Sequence, residues 1–100
     1  MNRRKLEKLK REHAGMWRTP QNAASLQSLA QRLGRTANHA RGKHPNWESS
    51  FDHLYPFSIP DHGSRDIPTG TKNRILACLE EDIVAWEQEL PDDLYEETEH

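Results

Sequence analysis

Residues 57–79 have the sequence FSIPDHGSRDIPTGTKNRILACL, which passes from a strand pattern through a turn to the start of a helix. In this stretch and just before it, three apolar side chains alternate with other residue types: Tyr55, Phe57 and Ile59. Such alternation is typical of a strand with one buried face. Pro56 and Pro60 lack the backbone N–H donor on one common side, so we expect an edge strand whose prolines are turned outward.

A long helix is predicted in the second half of this stretch and beyond it. Residues 61–64 (DHGS) favour a turn. Residues 68–71 (PTGT) lead into the helix, and either Thr69 or Thr71 could be its N-cap. Apolar residues then recur at helical spacing over about twenty residues: Ile75, Leu76, Leu79, Ile83, Trp86 and Leu90. We expect this helix to end at Pro91.

Two further helices are predicted upstream. In residues 21–33 the apolar side chains share one helical face, and Gly34 follows where a left-handed stop is expected. That face contains Leu26, Leu29, Ala30 and Leu33. Residues 2–13 are mainly charged, and their only large apolar side chains are two leucines. We therefore expect the basic N-terminal arm, residues 1–18, to be frayed or to become ordered only against another surface.

These elements predict an α+β fold. Strands are also expected near residues 35–39 and 47–51, which gives a small antiparallel three-stranded sheet with helices packed on one face and the other face open. The order is α-β-β-β-α, with an extra N-terminal helix in front. At 100 residues and 33% hydrophobic content, the chain should form one domain, residues 19–90, between the arm and an acidic, disordered tail at residues 91–100.

Charge is divided between the two halves of the chain. Residues 1–45 contain eleven Lys and Arg against two acids, whereas residues 46–100 contain three against fourteen. A field of this kind can attract phosphates to one face, although the halves can also neutralise each other in the folded protein.

The chain has a single cysteine, Cys78, which rules out an internal disulfide and fits a reducing compartment. We therefore predict a cytoplasmic protein. Acidic neighbours on the last helix should make this thiol a poor nucleophile. No apolar run is long enough for an export signal or a membrane span, so neither is expected.

From residue 19 to residue 90 the chain resembles the HicA-type toxins of bacterial toxin–antitoxin systems, whose fold is similar to a double-stranded RNA-binding domain. SLQSLAQRLG (residues 25–34) is similar to the family's first helix, and RGKH (residues 41–44) occupies the place of its Gly-Ser-His motif. Residues 57–79 resemble its last strand, its Pro-x-His-Gly turn and its Gly-Thr helix start. This third stretch is the most specific of the three.

The resemblance implies a metal-independent endoribonuclease that cleaves mRNA, an mRNA interferase, which a HicB-like antitoxin neutralises in a hetero-oligomer. The counterpart of the family's catalytic histidine is His44. Lys43 stands where the family has serine, and Pro45 follows the histidine. The alternative is a non-catalytic module of the same fold that binds RNA or docks on the antitoxin. No cofactor is implied.

Residue types around His44 suit RNA cleavage. An imidazole, with an ordinary pKa of about 6.5, can take the proton of a 2′-OH or give one to the leaving 5′ oxygen. Arg41 and Lys43 would stabilise the charge on phosphate, and Gly42 lets a backbone come close. In a regular strand, Arg41 and Lys43 would share one side and His44 would take the other.

Further candidates for RNA binding are cationic or aromatic. A phosphate track could combine Arg41 and Lys43 with Arg35, Arg65, Lys72 and Arg74, or these could be ordinary solvated cations. Three of them flank the start of the last helix, whose dipole also favours phosphate. Trp47 could stack on an unpaired base, but we favour a place in the core because large apolar residues are few. The six histidines show no metal-binding spacing, so no metal site is expected.

Overall fold

The computed structural model describes residues 1–39, 45–61 and 63–90. Within these ranges it contains three helices and one antiparallel three-stranded sheet in the order β1-β2-β3. The elements are α1 (Arg3–Met16), α2 (Ala23–Arg32), β1 (Thr36–Asn38), β2 (Asn46–Glu48), β3 (Phe57–Ser58) and α3 (Thr69–Glu89). The predicted α+β fold class is therefore confirmed. None of these helices has both the length and the apolar composition needed to cross a membrane.

The sheet has one buried and one exposed face. Antiparallel pairing aligns Ala37 with Trp47 and Trp47 with Phe57, and all three side chains belong to the hydrophobic core or pack on it. The other residues of the strands are exposed: Thr36, Asn38, Asn46, Glu48 and Ser58. Because successive side chains alternate between the faces of a strand, the outer face of the sheet is open, as expected.

Strand β3 lies at an edge of the sheet, as the prolines predicted, but it is only two residues long. Ile59 is fully buried and Phe57 packs on the core, as the alternation indicated. Tyr55 differs, because 87% of its surface is exposed. The prediction that Tyr55 shares the buried face was wrong, since alternation holds only where the backbone is a strand and β3 begins two residues later.

Helix α1 is a complete helix and not a frayed arm. It begins after Asn2, whose side chain accepts a hydrogen bond from the backbone N–H of Lys5 at 2.8 Å. Its buried face adds two residues to the leucines: Leu6, Leu9, His13 and Met16. This face packs against α3 and α2, so the arm becomes ordered on the rest of the same chain.

Helix α2 stops two residues before Gly34, the glycine that the sequence predicted as its left-handed stop. Gly34 has a φ of 98°. Its backbone N–H donates to the carbonyl of Gln31 at 3.0 Å, and that of Arg35 donates to the carbonyl of Ala30 at 2.9 Å. These bonds satisfy carbonyls that the end of a helix leaves without partners. An added Cβ at Gly34 would lie 2.7 Å from Ser50 Oγ, so the space beside this turn is closed.

Helix α3 has the predicted length and stripe but a different cap. Pro68 occupies the N-cap position without a side-chain hydrogen bond, and Thr69 is already helical. The prediction that Thr69 or Thr71 caps the helix was therefore wrong. Its buried stripe also contains two charged residues that the apolar pattern did not indicate, Lys72 and Asp82.

Candidate functional site

The predicted catalytic segment follows β1 and precedes β2 in the sequence. Four candidate residues lie outside the described part of the chain: Arg41, Gly42, Lys43 and His44. The predicted acidic tail at residues 91–100 also lies outside it. Asn38 and Asn46 pair with each other, so the last residue of β1 and the first residue of β2 lie side by side in the sheet.

The outer face of the sheet beside these two residues is polar. Asn46 also pairs with Ser58, so a row of short polar side chains crosses all three strands. Within this row, Asn38 Nδ2 also donates a hydrogen bond to Oε2 of Glu48 on β2 at 3.1 Å. All of these side chains are exposed, and none is bulky. An extended ligand could therefore lie across this face.

Trp47 lies in the core and not on the outer face. Its side chain is 3% exposed and stands between Ala37 and Phe57. Its indole N–H has no hydrogen-bond partner among the described residues. The core interpretation that we favoured is confirmed. Stacking of Trp47 on an RNA base would require the core to open.

Arg35 is also in the core, where its guanidinium joins several elements. Nε donates to Asp82 Oδ2 at 2.5 Å. One terminal nitrogen donates to the backbone carbonyls of Trp47 at 2.8 Å and Tyr55 at 3.1 Å. The guanidinium carbon lies 4.4 Å from the centre of the Phe57 ring, within cation–π range. With 2% of its surface exposed, Arg35 has a structural role in place of the predicted contact with phosphate.

Asp82 is the partner that sequence reasoning missed. Its Oδ1 accepts a hydrogen bond from Ser49 Oγ at 2.7 Å, so both carboxylate oxygens are bonded. The available signal was its position, three residues after Leu79 and one before Ile83 in the buried stripe. A carboxylate on a buried face requires a partner, because an unpaired buried charge is strongly unfavourable.

Lys72 is buried because its ammonium group caps the C-terminal end of α1. Nζ donates to the carbonyl oxygen of Trp17 at 2.9 Å and to that of Thr19 at 3.0 Å. A cation at this position compensates the helix dipole and the unpaired carbonyls. These bonds turn the ammonium group toward the protein, so Lys72 is not part of a surface phosphate track.

Arg65 and Arg74 remain on the surface. Arg74 lines a groove of about 310 Å³ between α3 and β3. The other residues of the groove are Phe57, Ser58, Pro60, Thr71, Ile75 and Cys78. Because Ser58 also belongs to the polar row on the outer face, the groove brings the Arg74 cation beside the open edge of the sheet.

The thiol of Cys78 in this groove is not activated. Burial raises its pKa above the ordinary value, and the negative charge of Glu81 raises it further. A thiol with a raised pKa is protonated at neutral pH, which agrees with the expectation of a poor nucleophile.

The described histidines do not form a site. His13 is buried, with Nε2 2.8 Å from the carbonyl oxygen of Leu76, and its ring meets the edge of Trp17 at a centroid distance of 5.8 Å. His39 and His53 are exposed and lie on different parts of the chain. Among residues 1–39, 45–61 and 63–90, no three His, Cys, Asp or Glu side chains are grouped so that they could hold a metal ion.

Comparisons with known proteins do not add a family. No protein-family model, no curated protein and no solved structure matches the chain. The resemblance to HicA-type toxins therefore rests on the three sequence stretches described above and stays a prediction.

Proposed function

We propose that this protein is a toxin of the HicA type, an endoribonuclease that cleaves mRNA without a metal ion and uses His44 as its acid or base. One observation carries the proposal. Along the chain the three strands follow α2 and precede α3, which gives the order α-β-β-β-α. They form a small sheet with the core on one face and a polar, open surface on the other face. That arrangement is the one expected from the resemblance, and it offers RNA an open surface.

In the proposed reaction the imidazole of His44 takes the proton of a ribose 2′-OH. The oxygen then attacks the adjacent phosphorus, the bond to the 5′ oxygen breaks, and that oxygen takes a proton from water while the imidazolium returns its proton to the solvent. The products are a 2′,3′-cyclic phosphate and a free 5′-OH. Acid–base catalysis by a positioned side chain contributes about 10²- to 10⁴-fold. His44 precedes Asn46 by two residues, and Asn46 is exposed on the open face.

Phosphate contacts in this proposal come from four cations: Arg41, Lys43, Arg65 and Arg74. Gly42 would allow the RNA backbone to come close. Arg35 and Lys72 do not belong to the set, because their charges are used inside the fold. A HicB-like antitoxin would cover the same surface in a cytoplasmic hetero-oligomer. The contacts of the four cations with phosphate supply affinity that does not depend on RNA sequence.

Growth arrest on expression of the full chain tests the proposal. We expect the wild type to stop growth and His44→Ala to be harmless. His53→Ala is the matched control, since His53 is exposed and lies in the turn region after β2, and it should remain toxic. Purified wild type should also cut an mRNA transcript in the presence of EDTA.

Two results would count against a nuclease. If all three proteins are equally harmless and none cuts RNA, the proposed function fails. If wild type and His44→Ala bind RNA equally well and neither cuts it, the chain is the non-catalytic RNA-binding module that Lys43 and Pro45 suggest.

A further inference from the structure

Three cations form a row along the outer face of α1. Arg4, Lys8 and Arg11 are spaced at i, i+4 and i+7, so they lie on one side of the helix, and all three are exposed. We call this row the cationic crest. It spans about 10 Å along the helix axis at 1.5 Å per residue. The opposite side of α1 is the buried face that packs on α3 and α2.

Carboxylates near the crest are already paired with other cations. Glu7 Oε1 lies 3.6 Å from Lys10 Nζ, which also forms a salt bridge with Glu87 Oε2 at 2.7 Å. Glu12 is one turn away from Lys8, but its two oxygens accept hydrogen bonds from Arg32 at 2.5 and 2.6 Å. In residues 1–39, 45–61 and 63–90, no salt bridge joins a crest side chain to a carboxylate. The three crest cations therefore make no salt bridge in these ranges, and the acid nearest to Lys8, Glu12, is held by Arg32.

We propose that the cationic crest binds the phosphate backbone of single-stranded RNA. A row of cations without exposed large apolar side chains suits a ligand that is recognised by charge alone, and a nucleic-acid backbone is such a ligand. The centre of a stable protein interface is typically apolar and poor in charged residues, whereas the crest consists of three charged side chains. A membrane would need the apolar face of α1, and that face is buried in the core.

This binding goes beyond the proposed nuclease, because α1 lies outside the residues that resemble the HicA family. It provides a second RNA contact region, separate from the sheet face and the groove of Arg74. Backbone contacts carry no sequence information, so the crest should bind single-stranded DNA of the same length about equally well.

Gly15 offers a way to extend the row. It follows Arg11 by four residues on α1, and a Cβ added there would meet nothing within 4 Å. A lysine at this position would add a fourth cation one turn beyond Arg11 without a clash.

The experiment measures RNA affinity against salt in the full-length chain carrying His44→Ala, so that cleavage cannot interfere. The probe is a labelled 20-nucleotide oligouridylate, titrated between 50 and 200 mM KCl. Replacing Arg4, Lys8 and Arg11 together with Gln should reduce the slope of log affinity against log salt by about 2, at 0.7 per lost phosphate contact. Over this salt range the parent chain then loses about 20-fold more affinity than the triple variant.

Matched variants keep the test independent of folding. Arg4→Lys with Arg11→Lys retains the charges and should retain the slope. Gly15→Lys should steepen the slope by about 0.7 relative to Gly15→Gln, which adds a side chain without charge. Circular dichroism and thermal melting should be the same for the triple variant and its parent, since the three side chains are exposed.

Two results would overturn the proposal: a parent chain that does not bind the probe, and a triple variant whose slope equals that of its parent. If the triple variant keeps its RNA slope but loses binding to an acidic protein, the crest is a protein-docking surface instead. Failure of the wild type to cut RNA would not affect this result, because all variants here lack His44.

Discussion

Arg35 and Asp82 form a buried ion pair in which Nε and Oδ2 are 2.5 Å apart and each side chain is 1% exposed. Arg35 lies three residues beyond the end of α2 and Asp82 lies in α3, so the pair joins the segment after α2 to α3. Through its bonds to the carbonyls of Trp47 and Tyr55, Arg35 also holds β2 and the segment before β3. Neither charge can reach water while the protein is folded, so each depends on the other.

Replacing Asp82 with Asn should lower the free energy of unfolding by about 3–5 kcal/mol, because the change leaves Arg35 buried without its counter-charge. Aspartate and asparagine side chains have nearly the same size, so no cavity contributes to the loss of stability. Urea unfolding followed by tryptophan fluorescence measures the effect. Glu81→Gln, at the exposed neighbouring position, is the control and should change stability by less than about 0.5 kcal/mol. A loss below about 1 kcal/mol for Asp82→Asn would show that the pair does not hold these elements together.

The positions of Arg35 and Lys72 show where sequence reasoning stops. Helical spacing of apolar residues predicted α2 and α3 because that signal is local. A prediction from sequence assigns Lys and Arg to the surface, since these residues are almost never fully buried unless they are paired. The partner of Arg35 lies 47 residues away in the sequence, and one partner of Lys72 lies 55 residues away. No local pattern encodes such pairings, so two of the predicted phosphate contacts proved to be buried residues.

Replacing Lys72 with Met should loosen the C-terminal end of α1. Methionine keeps an apolar chain but removes the two hydrogen bonds to the carbonyls of Trp17 and Thr19. We expect the free energy of unfolding to fall by about 1–3 kcal/mol. Hydrogen exchange should accelerate most at the last turn of α1. Arg74→Met, at an exposed position of α3, the helix that contains Lys72, should leave the exchange rates of α1 unchanged. A uniform loss of protection over all helices would contradict a local cap.

Glu12 and Arg32 link α1 to α2 at the surface, and this link should depend on pH. The hydrogen bonds from Arg32 lower the pKa of Glu12 below its ordinary value of 4.5. A carboxyl whose pKa is lower in the folded state stabilises the protein above its unfolded pKa. This contribution is lost as the pH falls through the folded pKa.

Glu12→Gln should therefore be less stable than wild type at pH 7, and the difference should vanish in acid. The side chains of Glu12 and Arg32 are 41% and 39% exposed, so solvent screening limits the difference in free energy of unfolding to at most about 1 kcal/mol. Chemical unfolding of both proteins between pH 7 and about pH 2 measures it. Glu80→Gln, which removes an exposed acid from α3, should show no such convergence. Stability curves that stay parallel at every pH would contradict the assignment.

The strands were the least predictable part of the fold. Strands β1 and β2 have three residues each and β3 has two, so alternation has almost no length over which to be recognised. Trp47 could still be placed in the core, because a chain with few large apolar residues has to bury its tryptophans. The open face follows from the same alternation once the pairing register is known.

Gly34→Ala and Gly15→Ala should have opposite effects, although both replace a glycine close to the end of a helix. Gly34 has a φ of 98°, and its added Cβ would lie 2.7 Å from the hydroxyl of Ser50, which donates to the Gly34 carbonyl. Alanine there should destabilise the protein by more than about 1 kcal/mol. Gly15 is helical with open space around it, so alanine should stabilise by about 0.5–1 kcal/mol. If thermal melting shows Gly34→Ala to be as stable as wild type, the end of α2 is fixed by the Arg35–Asp82 pair and not by the left-handed glycine.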